Sequence, residues 1–536
     1  HGLLRRQRQM CIRDSVEDVK GHALTLHLLG SYLRDAHEGD ITQRDHINLS
    51  EVVEVQGGHA FRVLDAYVGA LETGPAEHRK VSERALAILK LVGLFDRPAT
   101  ADCLEALWTG EAIPNLTEPL IGISQEQRNI ALKRLESAWL ITINRNERRE
   151  LLSIDSHPLI REYFARQLRG PNPNETNEVW RAAHRRLYEH LCETTNEGDQ
   201  PTLEELQPLY QAVAHGCHAG LMQEACDDAY YSRIQKGNDA YSVRKLGAFG
   251  ADLGAVACFF EPPWHRVTTS ITEADQAWLL NQSAAWLCAL GRLTESLEPM
   301  RAGVEGAVRL EDWNNAARYA NNLSELELTL GEVSGALSDA ERSVTYADRS
   351  GDAFQRMAYR TTHADALHQS GRRSEAESLF REAEQMQAER QPAYPLLCSL
   401  SGFRYCDLLL APAEREAWRK SLDRRVQSPK QETPTLDSGL STLDCQKACR
   451  DVTDRARQTL DWWTNHFTNA SLLTIALDHL TLSRAALYES LLSGSEISDS
   501  ASPISHPSSE IDAAVSGLRR AGRQDHLPRA LVSRAW

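Results

Sequence analysis

The chain has 536 residues, of which 42% are hydrophobic, and a formal net charge of −16. Its length predicts two to four domains, and its acidity argues against broad binding to nucleic acid or to an anionic membrane, although a local basic patch is compatible with it. The eleven cysteines are an odd number without C-x2-C spacing, which predicts reduced thiols in a cytoplasmic protein and no metal site.

Both ends of the chain lack the patterns of natural termini. The segment "RQRQMCIRDS" (6–15) has no apolar period and resembles translated adapter sequence, so residues 1–15 are expected to be non-native. The final "LPRALVSRAW" carries no helix stop signal. We therefore expect an internal fragment of a longer protein. No signal peptide is visible, and no apolar run approaches the roughly 20 residues of a membrane span.

Residues 16–76 have a helical period. The stretch "GHALTLHLLGSYLRD" (21–35) places Leu24, Leu28 and Leu29 on one face, and its first glycine permits a sharp entry into the helix. A second predicted helix, "QGGHAFRVLDAYVGAL", contains a Gly-Gly break near its start. These residues are expected to be one helical segment of a larger module.

Residues 79–168 are predicted to form three helices and a β-hairpin. The helices are "RKVSERALAILKLVGLF", "DRPATADCLEALW" with Thr100 as its N-cap, and "SQEQRNIALKRLESAWL" with Ser124 as its N-cap. The hairpin is "LITINRNERRELLSID", two short apolar runs around a charged turn. Three helices followed by a hairpin predict a winged-helix domain.

The charges of this domain bear on DNA as a partner, because a winged helix can bind DNA through its third helix. That helix carries Arg128, Lys133 and Arg134, which are balanced by Glu126 and Glu136. The arginines of the hairpin are balanced in the same way. Since nucleic-acid binding requires a basic face, we do not expect DNA to be the main partner.

Beyond a polar linker, residues 178–425 are predicted to be helical repeats, most clearly over 279–398. Three glycines recur every 40 residues, each with one small residue seven positions earlier and another five positions later. The set is Gly291, Gly331 and Gly371, with Ala284, Ser324 and Ala364 before them and Ser296, Ala336 and Ala376 after them. A glycine that ends one helix, between small residues where two helices cross, is typical of helical hairpins.

This pattern resembles tetratricopeptide repeats, although its period exceeds the usual 34 residues. Longer helices or loops would account for the excess. A polar loop (426–442) precedes further helical repeats over 443–536, and a Ser-rich insert at 493–510 is expected to be disordered.

The sequence contains no P-loop and no other nucleotide or protease motif. The stretch "AHGCHAG" gathers His215, Cys217 and His218, but without metal-ligand spacing, so we interpret them as ordinary repeat residues. We expect no catalytic residue and no enzyme activity within this chain.

One joint, "SIDSHPLIREYF", could bind an anion. A strand is predicted to end at Asp155, and a helix is predicted to start with Pro158 after His157. Helix starts leave N–H groups unpaired, which favours a negative group. From the residues alone, His157 either faces a phosphate or caps and packs against the helix.

Two stretches together resemble a family. "GHALTLHLLGSYL" resembles the "GLPLAL" segment of STAND-type signalling ATPases of the NB-ARC class, and "IDSHPLIREYFA" resembles the region of their "MHD" motif at the end of the winged helix. The helical segment, winged helix and repeats follow in the family's order. The resemblance implies that His157 senses the β-phosphate of ADP. Gly21 and Ala23 fall in the first motif, where Ala23 replaces the usual proline and His22 the usual leucine.

The resemblance implies a mainly α protein that is the regulatory and sensor half of a bacterial-type STAND ATPase. It implies ADP or ATP as cofactor of the full-length protein, without tight binding to this chain, because the P-loop would lie upstream. A protein or peptide ligand on the repeats and oligomerisation of the full-length protein are the implied interactions. The alternatives are a winged-helix DNA-binding regulator and a stand-alone repeat scaffold.

Overall fold

The computed structural model describes residues 15–19, 22–47, 58–73, 78–170, 177–425, 441–467, 471–493, 507–522 and 526–535. The chain forms two units, one of residues 1–196 and 211–225 and one of residues 197–210 and 226–536. Within the described ranges, no helix is both long enough and apolar enough to cross a membrane.

The first unit is mainly α-helical with one small sheet, as predicted. Its helices are α1 (Ala23–His37), α2 (Gly58–Thr73), α3 (Arg79–Val92), α4 (Ala101–Thr109), α5 (Gln125–Ser137), α6 (Pro158–Arg169) and α7 (Glu178–Thr194). Its strands are β1 (Ala99–Thr100), β2 (Thr142–Arg145) and β3 (Leu151–Asp155), and short 3-10 helices lie at Ile41–His46 and Glu118–Leu120. The chain passes between the units three times, and one of these changes, after Tyr210, falls within helix α8 (Leu203–Ala219).

The hairpin expected after the third helix is present, since β2 and β3 pair antiparallel with Ile143 opposite Ile154. Strand β1 was not predicted, because two residues are too short to show a period. It pairs with the other edge of β3 and places Ala99 opposite Ile154, which is fully buried. The sheet order is therefore β1-β3-β2.

The two helix starts named from the sequence differ in their capping. Ser124 forms a capping box with Gln127 at the start of α5, as its residue type favours. Thr100 occupies the N-cap position of α4 but makes no side-chain capping hydrogen bond there, and it is also the last residue of strand β1.

The second unit is built almost entirely from helices. They are α9 (Phe249–Ala257), α10 (Glu273–Ala289), α11 (Leu293–Arg309), α12 (Trp313–Leu330), α13 (Val333–Ser350), α14 (Ala353–Gln369), α15 (Arg373–Arg390), α16 (Ser399–Arg425), α17 (Thr442–Asp461), α18 (Leu472–Ser493), α19 (Pro507–Arg520) and α20 (Leu527–Ala535). A shorter helical segment at Met222–Glu224 belongs to the first unit, and Ala225–Ile234 begins at its last residue. Further short segments of the second unit lie at Gly237–Asp239, Tyr241–Arg244 and Trp462–His466.

Two predicted polar segments fall largely outside the described residues. These include 426–440 of the predicted loop and 494–506 of the Ser-rich insert. The insert ends earlier than expected, because α19 begins at Pro507. Proline is well tolerated in the first turn of a helix, so it does not prevent this start.

The predicted repeats are three helical hairpins: α10 with α11, α12 with α13, and α14 with α15. The first helices begin at residues 273, 313 and 353, and the second helices begin at residues 293, 333 and 373. Each helix has 17 or 18 residues. The links between them are only two or three residues long. Longer helices therefore account for the 40-residue period.

The small residues of the repeat lie where the paired helices cross. All six are 0% exposed: Ala284, Ser296, Ser324, Ala336, Ala364 and Ala376. Within the second hairpin, the Ser324 hydroxyl donates to the Ala336 carbonyl at 2.8 Å. The three glycines that end the first helices have φ of 79°, 85° and 86°, which a residue with a side chain adopts only at a cost.

The "AHGCHAG" residues lie in the first unit, at the end of α8. Nδ1 of the buried His215 is 2.8 Å from Nδ1 of His184, which is fully buried on α7. The ring of Trp180 packs on His184 with 4.1 Å between centroids. Burial lowers the pKa of His215 to about 3 and that of His184 well below its usual value, and neighbouring histidines lower both further. Both rings are therefore neutral core groups.

Replacing Ala364 with leucine should lower the free energy of unfolding of the second unit by about 1–3 kcal/mol, because this fully buried position has no room for three more carbons. Urea unfolding followed by circular dichroism measures the loss. Ala353 is exposed at the start of the same helix, so Ala353→Leu is the matched control and should change little. Equal losses from the two variants would contradict close packing at Ala364.

Acid should destabilise the first unit through His184 and His215. Both are neutral in the fold, whereas histidines of the unfolded chain bind protons below about pH 6.5. The unfolded state then binds more protons, so stability falls as the pH drops from about 6.5, by up to about 1.4 kcal/mol per pH unit for each histidine. Urea midpoints at pH 7, 6 and 5 measure this slope.

The matched variants for this measurement are His215→Gln, which removes one buried titrating group, and His78→Gln, which replaces an exposed histidine of the same unit. The first should flatten the dependence on pH, and the second should leave it unchanged. A slope that is identical in wild type and His215→Gln would show that His215 is protonated equally in both states.

Candidate functional site

The joint between β3 and α6 is built around His157. The buried Ser156 donates its hydroxyl to the Leu140 carbonyl at 2.9 Å and thereby fixes the chain just before the helix. Pro158 takes the first helical position, where no N–H is needed. His157 is the N-cap, and its Nδ1 accepts a hydrogen bond from the backbone N–H of Leu159 at 3.2 Å.

This capping bond determines which donor the ring offers. Because Nδ1 of His157 accepts, the neutral imidazole carries its proton on Nε2. The side chain is exposed, so Nε2–H is accessible to a ligand. The positive end of the α6 dipole lies at the same place. The joint therefore combines the capping role with a donor suited to an anion. The two interpretations made from the sequence, that His157 faces a phosphate and that it caps the helix, do not exclude each other.

A second helix start is also capped by a histidine. His22 is the N-cap of α1, and its Nδ1 accepts from the Thr25 N–H at 3.3 Å. Burial lowers the pKa of His157, and the charges of His22 and Arg161 lower it further. Ala23 is the exposed first residue of α1, whereas Gly21 lies outside the described residues.

Arg161 adds a fixed positive charge one helical turn after His157. Its guanidinium forms an ion pair with Asp155 and donates to the Asp96 carbonyl at 2.5 Å. Arg161 was not predicted as a site residue, although it follows His157 by four residues, about one helical turn. The electrostatic effect of His22 on His157 depends on tertiary packing and leaves no local signal in the sequence.

The basic residues of α5 are mostly engaged within the first unit. The Arg128 guanidinium lies 4.4 Å above the centroid of the Trp108 ring, and Arg134 donates to the Ser82 hydroxyl at 2.9 Å. Of the three basic side chains on this helix, Lys133 is the exposed one. This leaves little of the basic face that DNA binding would require.

A polar seam joins the first helices of the repeats in the second unit. Side chains of α12, α14 and α16 each reach back to an earlier first helix. The contacts are Asn322 to Asn281 at 3.2 Å, Gln355 to the Asn314 carbonyl at 3.2 Å, and Arg404 to Thr362 at 2.8 Å and to Glu325 at 2.7 Å. These bonds hold successive first helices of the repeats together.

Two groups of potential metal ligands occur within the described residues, namely Asp102, Cys103 and His190, and Asp365, His368 and Asp407. In the first group, burial raises the pKa of Cys103 to about 11, so its thiol is not readily deprotonated for a metal. In the second group, Asp407 already pairs with Arg484 at 2.9 Å and with Arg529. Asp102 of the first group also pairs with His190 at 3.3 Å, so members of both groups are already engaged within the protein.

No family model matches the chain, and no curated protein matches it. One similar solved structure is a STAND protein with a tetratricopeptide repeat sensor from Pyrococcus horikoshii, with 12% identity, a TM-score of 0.31, and coverage of 97% of this chain and 69% of that chain. Another is a Rap protein complexed with competence and sporulation factor, with 10% identity, a TM-score of 0.29, and coverage of 67% and 85%. Scores this low assign neither a function nor a ligand to the chain.

Replacing His157 with alanine should lower the stability of the first unit by about 0.5–2 kcal/mol, because the Leu159 N–H loses its capping acceptor. His157→Asn is the matched variant, since asparagine also caps helices well, and its stability should stay close to wild type. Urea unfolding measures both. Equal destabilisation by the two variants would show that the imidazole stabilises the joint by packing and not by capping.

Proposed function

We propose that this chain is the regulatory and sensor half of a STAND-type signalling ATPase. In this proposal the first unit, with its winged-helix module, senses the nucleotide state through His157, and the repeats of the second unit recognise a protein or peptide partner. The observation that carries it is the geometry of His157, which caps α6 through Nδ1 and leaves its exposed Nε2–H for a ligand. His157 and His22 lie in the two segments that resemble the family's motifs, and each caps the start of a helix.

The side chains at this place fit an anionic group such as the β-phosphate of ADP. Each of the two helix starts provides a partial positive charge, and Nε2–H of His157 is a free hydrogen-bond donor. Arg161 adds a full positive charge that Asp155 partly balances. A bound ADP would supply the negative charge that these groups complement. His157 would then hold the winged helix against the nucleotide-binding module by one hydrogen bond.

A single neutral donor is a weak attachment, which suits a switch. Loss of the hydrogen bond from His157 would free the winged-helix module without breaking a buried ion pair. A partner that binds the repeats more tightly in the open state would shift the equilibrium towards it, and ADP would by linkage oppose the partner. The open state is the one in which we propose that the full-length protein oligomerises.

The test uses the protein extended by its upstream coding sequence, which should contain a Gly-rich loop ending in Lys-Ser or Lys-Thr. In that protein His157→Asn should lower ADP retention by about tenfold, the equivalent of one hydrogen bond of about 1.4 kcal/mol. The cap is preserved in this variant, so stability should not change. Dissociation of a fluorescent ADP analogue measures retention.

The matched control is His78→Asn, which replaces an exposed histidine of the same unit and should retain ADP as the wild type does. Unchanged ADP retention in His157→Asn would show that His157 acts only as a helix cap. An upstream sequence without a phosphate-binding loop would rule out the ATPase altogether, and the repeats would then be those of a scaffold.

A further inference from the structure

A cavity of about 210 Å³ lies in the first unit along helix α6. Four parts of the chain line it: residues 93–96 after α3, helix α6, Trp180 of α7 and His218 of α8. The lining residues of α6 are Pro158, Arg161, Glu162, Ala165 and Arg169. We call it the α6 cavity. A water takes up about 30 Å³ in the liquid, so the cavity has room for a small molecule of roughly ten non-hydrogen atoms.

The inner surface of the α6 cavity is apolar and closely packed. Its apolar residues are Leu94, Phe95, Ala165 and Trp180, each 5% exposed or less. The ring of His184 supports Trp180, with 4.1 Å between the ring centroids. Gly93 approaches α6 so closely that a Cβ atom there would lie 2.7 Å from the backbone nitrogen of Ala165. Packing therefore fixes this surface, as is usual for small-molecule sites.

Hydrogen-bond donors without a partner surround the ring of Trp180. The exposed Arg169 places its guanidinium 4.7 Å from the centroid of this ring, and the ring of the exposed His218 lies 5.4 Å away. Within the described residues, neither of these side chains nor the indole N–H of Trp180 makes a hydrogen bond or an ion pair. Burial of part of its ring lowers the pKa of His218 to about 4, and Arg169 lowers it further, so the neutral ring has one N–H near pH 7.

The carboxylates that line the α6 cavity are already engaged. Asp96 pairs with Arg97 at 3.0 Å, and Glu162 pairs with Arg166 at 2.6 Å. A cationic ligand would have to compete with these guanidinium groups. The cavity therefore does not favour a cation.

The arginines of the α6 cavity are less completely paired than its carboxylates. Arg161 forms an ion pair with Asp155, but its Nε is buried without a hydrogen-bond partner. Arg169 has no carboxylate partner among the described residues. The cavity thus has positive charge and donors in excess. Because an acceptor would supply the missing hydrogen bonds, this excess favours an anion.

We propose that the α6 cavity binds a small carboxylate with an apolar body. The apolar body would lie on the inner surface, and the carboxylate would accept hydrogen bonds from Arg169, His218 and the indole N–H of Trp180. Two carboxylate oxygens accept up to about four hydrogen bonds, which is enough for these donors. The site goes beyond the proposed function, since it requires no nucleotide and His157 does not line it.

The experiment measures binding of benzoate to the whole chain by isothermal titration calorimetry at pH 7. Benzamide has the same shape without the charge, so benzoate should bind at least about tenfold more tightly than benzamide. Acetate has the charge without the apolar body, so benzoate should also bind at least about tenfold more tightly than acetate. Equal affinities for benzoate and either of the other two compounds would overturn the proposal, as would an absence of benzoate binding.

Variants of the cavity test where benzoate binds. Arg169→Gln should weaken benzoate binding at least about tenfold, because the charged donor is lost. Arg185→Gln replaces an exposed arginine of α7 and is the matched control, which should bind as wild type does. Trp180→Phe keeps an aromatic ring without the N–H and should weaken binding about threefold. Benzoate affinity that is the same in Arg169→Gln and wild type would place its site elsewhere and overturn the proposal.

Stability gives a second readout that does not depend on the heat of binding. Because a ligand stabilises the state that binds it, benzoate should raise the urea midpoint of the first unit in wild type and raise it less in Arg169→Gln. Equal rises in the two proteins would contradict a site at Arg169. His157→Asn should bind benzoate as wild type does, so this result and the test of ADP retention are independent of each other.

Discussion

The close crossing of paired helices is the constraint on which the second unit depends. Alanine or serine at the crossing allows two backbones to approach, and a glycine with positive φ ends the first helix at the right length for the next to begin. With the crossings fixed, each hairpin repeats with the same period, and the first helices lie side by side. This brings Asp365 of one helix next to Asp407 of the next. The polar seam and the ion pairs of Asp365 and Asp407 are therefore consequences of the small residues at the crossings.

Features with a local pattern could be predicted from the sequence. The small residues and glycines of the repeats have a fixed interval, Ser124 is followed by Gln127 of a capping box, and the hairpin strands flank a charged turn. The mainly α fold was confirmed on this basis. Strand β1 was missed because two residues carry no period, and pairing with β3 is what makes them a strand. Local sequence patterns thus predict most helices and the hairpin well, and they predict short strands that depend on pairing less well.

The candidate sites depend on residues from separate elements, which is why the sequence revealed only parts of them. His157 was identified as a candidate site residue by its position before a proline. Nothing in the neighbouring sequence indicates that the charge of His22 acts on it. Asp365, Asp407 and Arg529 come from three helices. Charged residues are common on helix surfaces, so none of the three is conspicuous alone. Their burial and their ion pairs arise only in the folded chain.

The use of histidine as a helix cap at both α1 and α6 has a physical consequence. Asparagine, aspartate or serine would cap these helices at least as well, so the choice of imidazole is better explained by what the rest of the ring offers. Once Nδ1 accepts the capping bond, Nε2–H points away from that bond as a donor of fixed tautomer. The lowered pKa of His157 keeps the ring neutral near pH 7. A neutral donor distinguishes ligands by hydrogen bonding more than by charge. In the proposed function, the helix ends and Arg161 would therefore attract the anion, and the hydrogen bond from His157 would depend on where the anion's oxygen lies.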